Sequence, residues 1–194
     1  GSGKSHLLKV ISYFMCNSEI DGKKATDYFN WENKTNSSTL LANIMIASNA
    51  NAEIIKFNID KKYGLDIKEN KIKICQVLAK EFFEMQKNSK TEISAAEKQG
   101  SESPEQLEDK PIFETNEDID TYIFNDGFDE GRLARDINTY VSKKGRNHKV
   151  VFLIDDLGKC VEDNFNAIFE LQSIVETLCD ITGNSFFIIA TGQN

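Results

Sequence analysis

The chain has 194 residues, of which 40% are hydrophobic, and a formal net charge of −8. This length is enough for one domain with a sizeable core. No apolar stretch reaches 18 residues, so we expect no membrane-spanning segment. His6 and His148 are the only histidines, which leaves little for a histidine-based metal site or catalytic triad. The four cysteines lack C-x-x-C spacing, which favours reduced thiols in a cytoplasmic protein over a disulfide or zinc framework.

The first five residues, Gly1-Ser2-Gly3-Lys4-Ser5, resemble the second half of a phosphate-binding P-loop. In the pattern G-x-x-x-x-G-K-[ST] the last glycine is Gly3, so we expect a fragment that begins inside the motif and lacks the preceding strand. The glycines let backbone N–H groups surround a phosphate, and the following helix adds its positive end. Lys4 would reach the β- and γ-phosphates, and Ser5 would ligate Mg²⁺. The alternative is a cloning remnant before an ordinary helix.

A helix is predicted over residues 4–16, with Leu7, Ile11 and Phe14 spaced for one buried face. His6 would then lie beside the phosphates as a neighbour on the helix and not as a catalyst. The next predicted elements are a polar helical stretch at 23–29, a helix at 38–48, a strand at 53–59 and a helix at 69–87.

The acidity of the chain is concentrated between residues 88 and 130, which contain 13 acidic and 3 basic residues. We interpret residues 88–118 as an acidic, disordered insertion in a single partial P-loop ATPase domain that spans residues 1–194. The part at 90–110 contains almost no large apolar residues and is predicted to be a surface loop that is dispensable for folding. The basic cluster at 143–149 is predicted to be a solvated turn, with a DNA or partner contact as the alternative.

A continuous apolar run at residues 150–154 ends in Asp155 and Asp156. Such a run is typical of a central parallel strand, and carboxylates at its end lie where open α/β sheets bind ligands. In this Walker B interpretation Asp155 holds Mg²⁺ through a water. Asp156 occupies the position where many ATPases have a glutamate that polarises the attacking water, and its shorter side chain predicts a shifted water or a slow site. The alternative is a buried strand that ends in a capped turn.

A helix is predicted at 165–182 and an apolar strand at 185–190, followed by Thr191-Gly192-Gln193-Asn194. The apolar face of this helix would contain Ile168, Leu171, Val175 and Leu178. ATPases with an additional strand place a polar sensor residue at the end of the strand next to Walker B. Gln193 is our first candidate for that sensor and Thr191 the second, and a plain polar turn is the alternative.

A short apolar segment near 121–124, a helix at 129–143 and a strand at 149–155 complete the predicted order. The alternation predicts a three-layer α/β fold with a parallel sheet, a P-loop NTPase of the AAA/ASCE-like type that is truncated at the first strand and P-loop. The predicted cofactors are ATP and Mg²⁺. Arg132 and Arg135 are weak candidates for an arginine finger.

Several segments, in the same order along the chain, resemble the large P-loop ATPase of BREX bacteriophage-defence systems, the BrxC/PglY family. These segments are residues 3–13, 55–60, 151–158, 171–176 and 190–193. The most specific are the Walker B segment Val-Phe-Leu-Ile-Asp-Asp-Leu-Gly and the Leu-Gln-Ser-Ile-Val-Glu helix. The acidic segment lies outside the resemblance.

The resemblance implies an AAA-like ATPase that works with other BREX components, including a DNA methyltransferase, to restrict phage DNA. It implies Walker A roles for Lys4 and Ser5, the Walker B metal role for Asp155 and the sensor role for Gln193. DNA contact, direct or indirect, and a homo-oligomer are further implied possibilities. The chain departs from the family in three places. Asp156 stands where the family has glutamate, Gly158-Lys159 replaces a Gly-Gln pair, and Thr191-Gly192-Gln193 replaces Thr-Ser-Gln. These departures imply intact nucleotide binding and an altered rate of hydrolysis. The alternatives are a nucleotide-binding scaffold with a degenerate site and a small-molecule kinase.

Overall fold

The computed structural model describes residues 3–17, 19–24, 52–69, 71–97, 113–145, 148–161, 164–183 and 185–192. The strands in these ranges are β1 (Glu19–Ile20), β2 (Lys23–Lys24), β3 (Ala52–Asn58), β4 (Lys149–Asp155) and β5 (Phe186–Ala190). The helices are α1 (Lys4–Cys16), α2 (Ile59–Tyr63), α3 (Leu65–Lys68), α4 (Ile74–Glu97), α5 (Asn116–Ile123), α6 (Glu130–Lys144), α7 (Leu157–Val161) and α8 (Phe165–Thr182).

Strands β3, β4 and β5 form a parallel sheet in that order. The register pairs Asn58 with Asp155 and Ile154 with Ala190. All five interior residues of β4 are buried, as the apolar run at 150–154 predicts. Because the three strands are parallel, their carboxyl ends lie at one edge of the sheet, and the polar residues that follow each strand meet there.

The sheet is covered on both faces, because alternate residues of β4 point in opposite directions. On one face Val151 and Leu153 pack with Leu8 and Met15 of α1. The opposite face carries a larger core in which Val150, Phe152 and Ile154 lie with buried residues of α4, α5, α6 and α8. The described residues thus form three layers around a parallel sheet, as the predicted α/β fold class requires. No described helix is both long and apolar enough to cross a membrane.

The bounds predicted for the Walker B strand and for the helix at 165–182 are those of β4 and α8. Local signals explain the accuracy for α8. The Asn164 side chain accepts a hydrogen bond from the Ala167 N–H at the start, and Gly183 ends the helix in the left-handed conformation, with φ 56°. The helix predicted at 129–143 is α6, whose bounds lie one residue later at each end, because Asp129 caps it by accepting a hydrogen bond from the Arg132 N–H.

Other predicted bounds were wrong. Lys23 and Lys24 form a strand in a short hairpin, whose turn has Asp21 and Gly22 at positive φ, and not the start of a helix. The strand predicted at 53–59 ends at Asn58, because the Asn58 side chain caps α2. The helix predicted at 69–87 begins at Ile74 and continues to Glu97. The rest of 23–29, and the helix predicted at 38–48, lie outside the described residues.

The predicted acidic loop is partly helical. Residues 88–97 belong to α4 and residues 116–118 to α5, so the disorder predicted across 88–118 was wrong for these two stretches. The physical reason is local: 92–97 includes two Ala and two Glu, which favour helix, and Thr115 and Asp118 form a capping box that starts α5. Residues 98–112 lie outside the described residues, so the loop interpretation stays a prediction there.

The predicted buried faces of two helices were only partly right. Leu7 of α1 is 58% exposed, whereas Leu8 is buried. In α8, Leu178 is buried as predicted, but Ile168 is exposed, and Ala167 and Ile174 are buried instead. Both helices carry apolar side chains around much of their circumference, so helical periodicity alone has more than one solution. The thiols of Cys75, Cys160 and Cys179 are free, and burial raises the pKa of Cys75 to about 12.

Candidate nucleotide site

The carboxyl edge of the sheet joins the start of the chain to the end of β4. The Ser5 hydroxyl donates a hydrogen bond to Asp155 Oδ1 over 3.0 Å, although the two residues are 150 positions apart. Ser5 lies in the first turn of α1, and Asp155 is the last residue of β4. The structure therefore brings together the two residues that the sequence predicts to bind Mg²⁺.

Thr191 connects the end of β5 to the same carboxylate. Its hydroxyl donates to Asp155 Oδ1 over 2.6 Å and accepts a hydrogen bond from the Asp156 N–H over 3.0 Å. Asp156 has φ 63°, a left-handed conformation that few residues other than glycine adopt. Thr191 thus stabilises a strained turn and positions both acids, which is a more specific arrangement than a plain polar turn.

Asn58, at the end of β3, contacts both acids and was not among the predicted site residues. Its Nδ2 lies 2.9 Å from Asp156 Oδ2 and 3.4 Å from Asp155 Oδ2. The Asn58 Oδ1 accepts a hydrogen bond from the Lys61 N–H over 2.9 Å, so the same side chain caps α2. The capping contact fixes which end of the amide faces the carboxylates, because only the NH₂ end can donate to them.

Lys4 lies at the same edge. Its ammonium donates a hydrogen bond to the backbone carbonyl of Gly192, one residue after Thr191. A lysine in this place offers a mobile positive charge beside the acid pair, as the P-loop interpretation requires.

Two further charged residues belong to this edge, and neither was among the predicted site residues. Lys159 Nζ lies 3.5 Å from Asp156 Oδ2 and 3.5 Å from Asp60 Oδ2. Lys159 belongs to α7, a short helix that the sequence analysis did not predict, and Asp60 belongs to α2. The spacing of Asp156 and Lys159, three residues apart just after a strand, is the one signal in the sequence that predicts this ion pair.

The electrostatic setting favours the ionised form of Asp155. Burial acts to raise the pKa of Asp155, but hydrogen bonds from Thr191, Ser5 and Asn58 outweigh it and hold the pKa below its usual range. Burial acts to lower the pKa of Lys159, whereas the charges of Asp156 and Asp60 raise it above its ordinary value. Asp155 and Lys159 are therefore both charged at neutral pH.

Three predicted site residues, Gly1, Ser2 and Gln193, lie outside the described residues, so the choice of Gln193 as the sensor stays a prediction. His6 is exposed on α1. Arg132 donates a hydrogen bond from Nε to the Tyr122 hydroxyl over 2.7 Å and lies over that ring.

The chain matches the KAP family P-loop domain across residues 1–194. It belongs to the KAP family of P-loop NTPases. No solved structure gives a significant match to the chain. Family membership establishes a nucleotide-binding NTPase domain, whereas the roles of the individual site residues remain predictions.

The donors at the edge of this KAP domain fit a magnesium ion. Ser5 Oγ and Thr191 Oγ1 lie within 3.0 Å and 2.6 Å of the same Asp155 oxygen, so hydroxyl and carboxylate oxygens are concentrated at one point. Hard oxygen ligands of this kind suit Mg²⁺, which is bound by one or two carboxylates together with substrate phosphates. Among the described residues no group of three or more His, Cys, Asp or Glu side chains forms a separate metal site.

Proposed function

We propose that this KAP domain binds ATP with Mg²⁺ at the carboxyl edge of its sheet and hydrolyses it. The observation that carries the proposal is the hydrogen bond between Ser5 and Asp155, because it unites Walker A and Walker B residues from distant parts of the chain. Bound Mg²⁺ would neutralise charge on the phosphates. Ser5 and Asp155 would hold the ion, and Lys4 would give up its contact with the Gly192 carbonyl to bind phosphate oxygens.

Asp156 is the proposed group that orients the attacking water. Its carboxylate follows that of Asp155 at the end of β4 and contacts Asn58 and Lys159. Positioning and electrostatic stabilisation dominate phosphoryl transfer, so a carboxylate next to the metal-binding acid suits the role once it faces the attacking water. Asp156→Asn should therefore keep ATP affinity and suppress phosphate release. Unchanged release would assign Asp156 to the turn alone.

The test of nucleotide binding compares Lys4→Ala with Lys9→Ala in the full-length protein. Lys9 is an exposed lysine of the same helix, so its loss controls for the removal of one positive charge. ATP affinity, measured by isothermal titration calorimetry with Mg²⁺, should fall at least about tenfold in Lys4→Ala, because a charge on the β- and γ-phosphates is lost. Equal affinity of the two variants would contradict the assignment of the site.

The cellular role that we propose is that of an ATP-driven component of a cytoplasmic BREX phage-defence complex. The ordered resemblance of five segments, including the Walker B segment, supports this role, and KAP membership supplies the NTPase domain but not the system that it serves. Its proposed partners are other BREX components, including a DNA methyltransferase. DNA contact and a homo-oligomer belong to the same proposal.

A plaquing assay tests the cellular role in a host that carries the whole gene cluster. Lys4→Ala should restore phage sensitivity, whereas Lys9→Ala should protect like the wild type at matched protein levels. Equal protection by both variants would contradict an ATP-dependent defence role.

One observation favours a second candidate, a nucleotide-binding scaffold that turns over slowly. The Asp156 carboxylate is held by both Asn58 and Lys159, and such a carboxylate is restricted as a catalytic group. ATP binding without phosphate release would identify the scaffold. Phosphate transfer to an acceptor, in place of release to water, would identify a kinase.

A further inference from the structure

We propose that Lys159 is a positioning residue that restrains Asp156 and thereby limits the rate of hydrolysis. The inference rests on the proposed function, because it assigns Lys159 a role in the turnover of ATP at that site. Lys159 lies outside the Walker motifs, and its position relative to Asp156 and Asp60 is what the structure adds.

Lys159 and Asn58 contact the same oxygen of the Asp156 carboxylate. Lys159 Nζ and Asn58 Nδ2 both approach Asp156 Oδ2, at 3.5 Å and 2.9 Å. The Asp156 side chain is 15% exposed and that of Lys159 is 32% exposed, so the pair is screened less than one on the open surface. A carboxylate oxygen that already interacts with a cation and an amide donor is a weaker acceptor for a proton of water.

The position of Lys159 is itself fixed by a second ion pair. Lys159 also pairs with Asp60 of α2, so its ammonium is held between two carboxylates. Helix α2 is in turn fixed to α4: Lys62 lies 2.5 Å from Glu81 and 2.9 Å from Glu84, and the Tyr63 hydroxyl donates to Glu81 over 2.6 Å. The ion pair therefore connects Asp156 to an element whose position is set by the core.

The contacts of Asp156 also fix the direction of its carboxylate. The backbone N–H of Asp156 is bonded to Thr191, after β5, whereas its carboxylate is bonded to Asn58, at the end of β3. Ser5 and Lys4 make their contacts with Asp155 and with Gly192, after β5. Since β4 lies between β3 and β5, the Asp156 carboxylate is held toward the β3 side, away from the strand end where Lys4 bonds. Release from Lys159 should free it to orient water.

The test replaces Lys159 by methionine, which keeps the chain length and removes the charge. We expect kcat for ATP hydrolysis to rise about threefold to fivefold, the size that loss of a partly exposed ion pair supplies, while KM for ATP changes less than twofold. Lys159→Arg, which keeps the positive charge, should leave kcat at the wild-type value. Lys68→Met is the matched control: Lys68 lies 4.0 Å from Asp60, and among the described residues no ion pair joins it to Asp156.

A double-mutant cycle decides whether Lys159 acts through Asp156. In an Asp156→Asn background, Lys159→Met should leave the single-turnover rate unchanged. A gain of equal size in that background, or an unchanged or lower kcat in Lys159→Met alone, would overturn the inference. Thermal melting of each variant shows that it is folded, and Lys159→Gln provides a second neutral replacement. If Lys4→Ala kept ATP affinity in parallel assays, the proposed function itself would fail.

Discussion

Two polar clusters lie at opposite ends of the same strands, β3 and β4. At the carboxyl end Asn58 and Asp155 are paired in register and contact residues from α1, from the turn after β4 and from the segment after β5. At the amino end the Tyr140 hydroxyl donates to Glu53 over 2.7 Å, and His148 packs against the Tyr140 ring.

The two clusters differ in their exposure to solvent and in the number of chain segments that contribute residues to them. His148 is 5% exposed, and its Nε2 lies 3.6 Å from Glu53 Oε1, too far for a hydrogen bond. At the carboxyl end Ser5 is exposed and Asp156 has a strained backbone. A cluster whose histidine is buried against the Tyr140 ring supports the fold, whereas polar groups that converge from several segments on an open edge can bind a ligand.

The strongest test of this distinction is Asp155→Asn. The substitution keeps the shape of the side chain but removes the charge proposed to hold Mg²⁺. We expect kcat to fall on the order of a hundredfold, comparable to the loss of a single preorganised electrostatic contact. Phosphate release measured across a Mg²⁺ titration checks this. A normal rate at all Mg²⁺ concentrations would contradict the assignment.

Thr191→Val tests the connection between the acids. The valine cannot donate to Asp155 or accept from the Asp156 N–H, so both groups lose a partner at a cost of about 1 to 2 kcal/mol. We expect roughly tenfold slower hydrolysis. The pKa of Asp155 should rise, because a hydrogen bond that lowers it is lost, and the acid limb of the rate profile should move to higher pH. Thr191→Ser should restore both properties.

At the other end of the strands, Tyr140→Phe should change stability and not activity. It removes the hydroxyl that donates to Glu53, and we expect the free energy of unfolding to fall by about 1 kcal/mol. Urea unfolding measures this change, and ATP affinity should equal that of the wild type. A loss of nucleotide binding would show that the amino-end cluster is coupled to the site.

The smallest expected effect is the pH dependence due to His148. Burial lowers its pKa in the folded protein below the ordinary value of 6.5, against the opposing charge of Glu53. The unfolded chain then binds a proton more readily, so this residue destabilises the fold as pH falls through about 6.5 toward the folded pKa. His148→Gln should flatten that part of the curve of unfolding free energy against pH. An unchanged slope would place the titration elsewhere.

Strong local signals allowed part of the fold to be predicted. The bounds of β4 and α8 follow from an uninterrupted apolar run and from Asn164 and Gly183 at the helix ends. Ser5, Asp155 and Thr191 were predicted as site residues because each lies at or just after the end of a recognisable element. Their convergence follows from the parallel sheet, which brings strand ends together whatever their separation in sequence.

The remainder depended on tertiary contacts. Asn58 was predicted to lie inside a strand, and nothing in its neighbours shows that it would cap α2 and also bond two carboxylates across the sheet. The pairing of Asp60 with Lys159 requires the packing of α2 against α7. The orientation of α1 was set by the space available over Val151 and Leu153, which periodicity does not encode.

The pairing of β3 with β4 carries a consequence for how the chain can vary. Asn58 and Asp155 are 97 positions apart, so the site closes only when a long loop of chain has been brought together. The entropy of closing such a loop grows with the logarithm of its length, and a doubling costs only about 0.6 kcal/mol. The acidic segment within that loop can therefore lengthen or shorten between relatives with little effect on stability, while the site residues at the two ends keep their register.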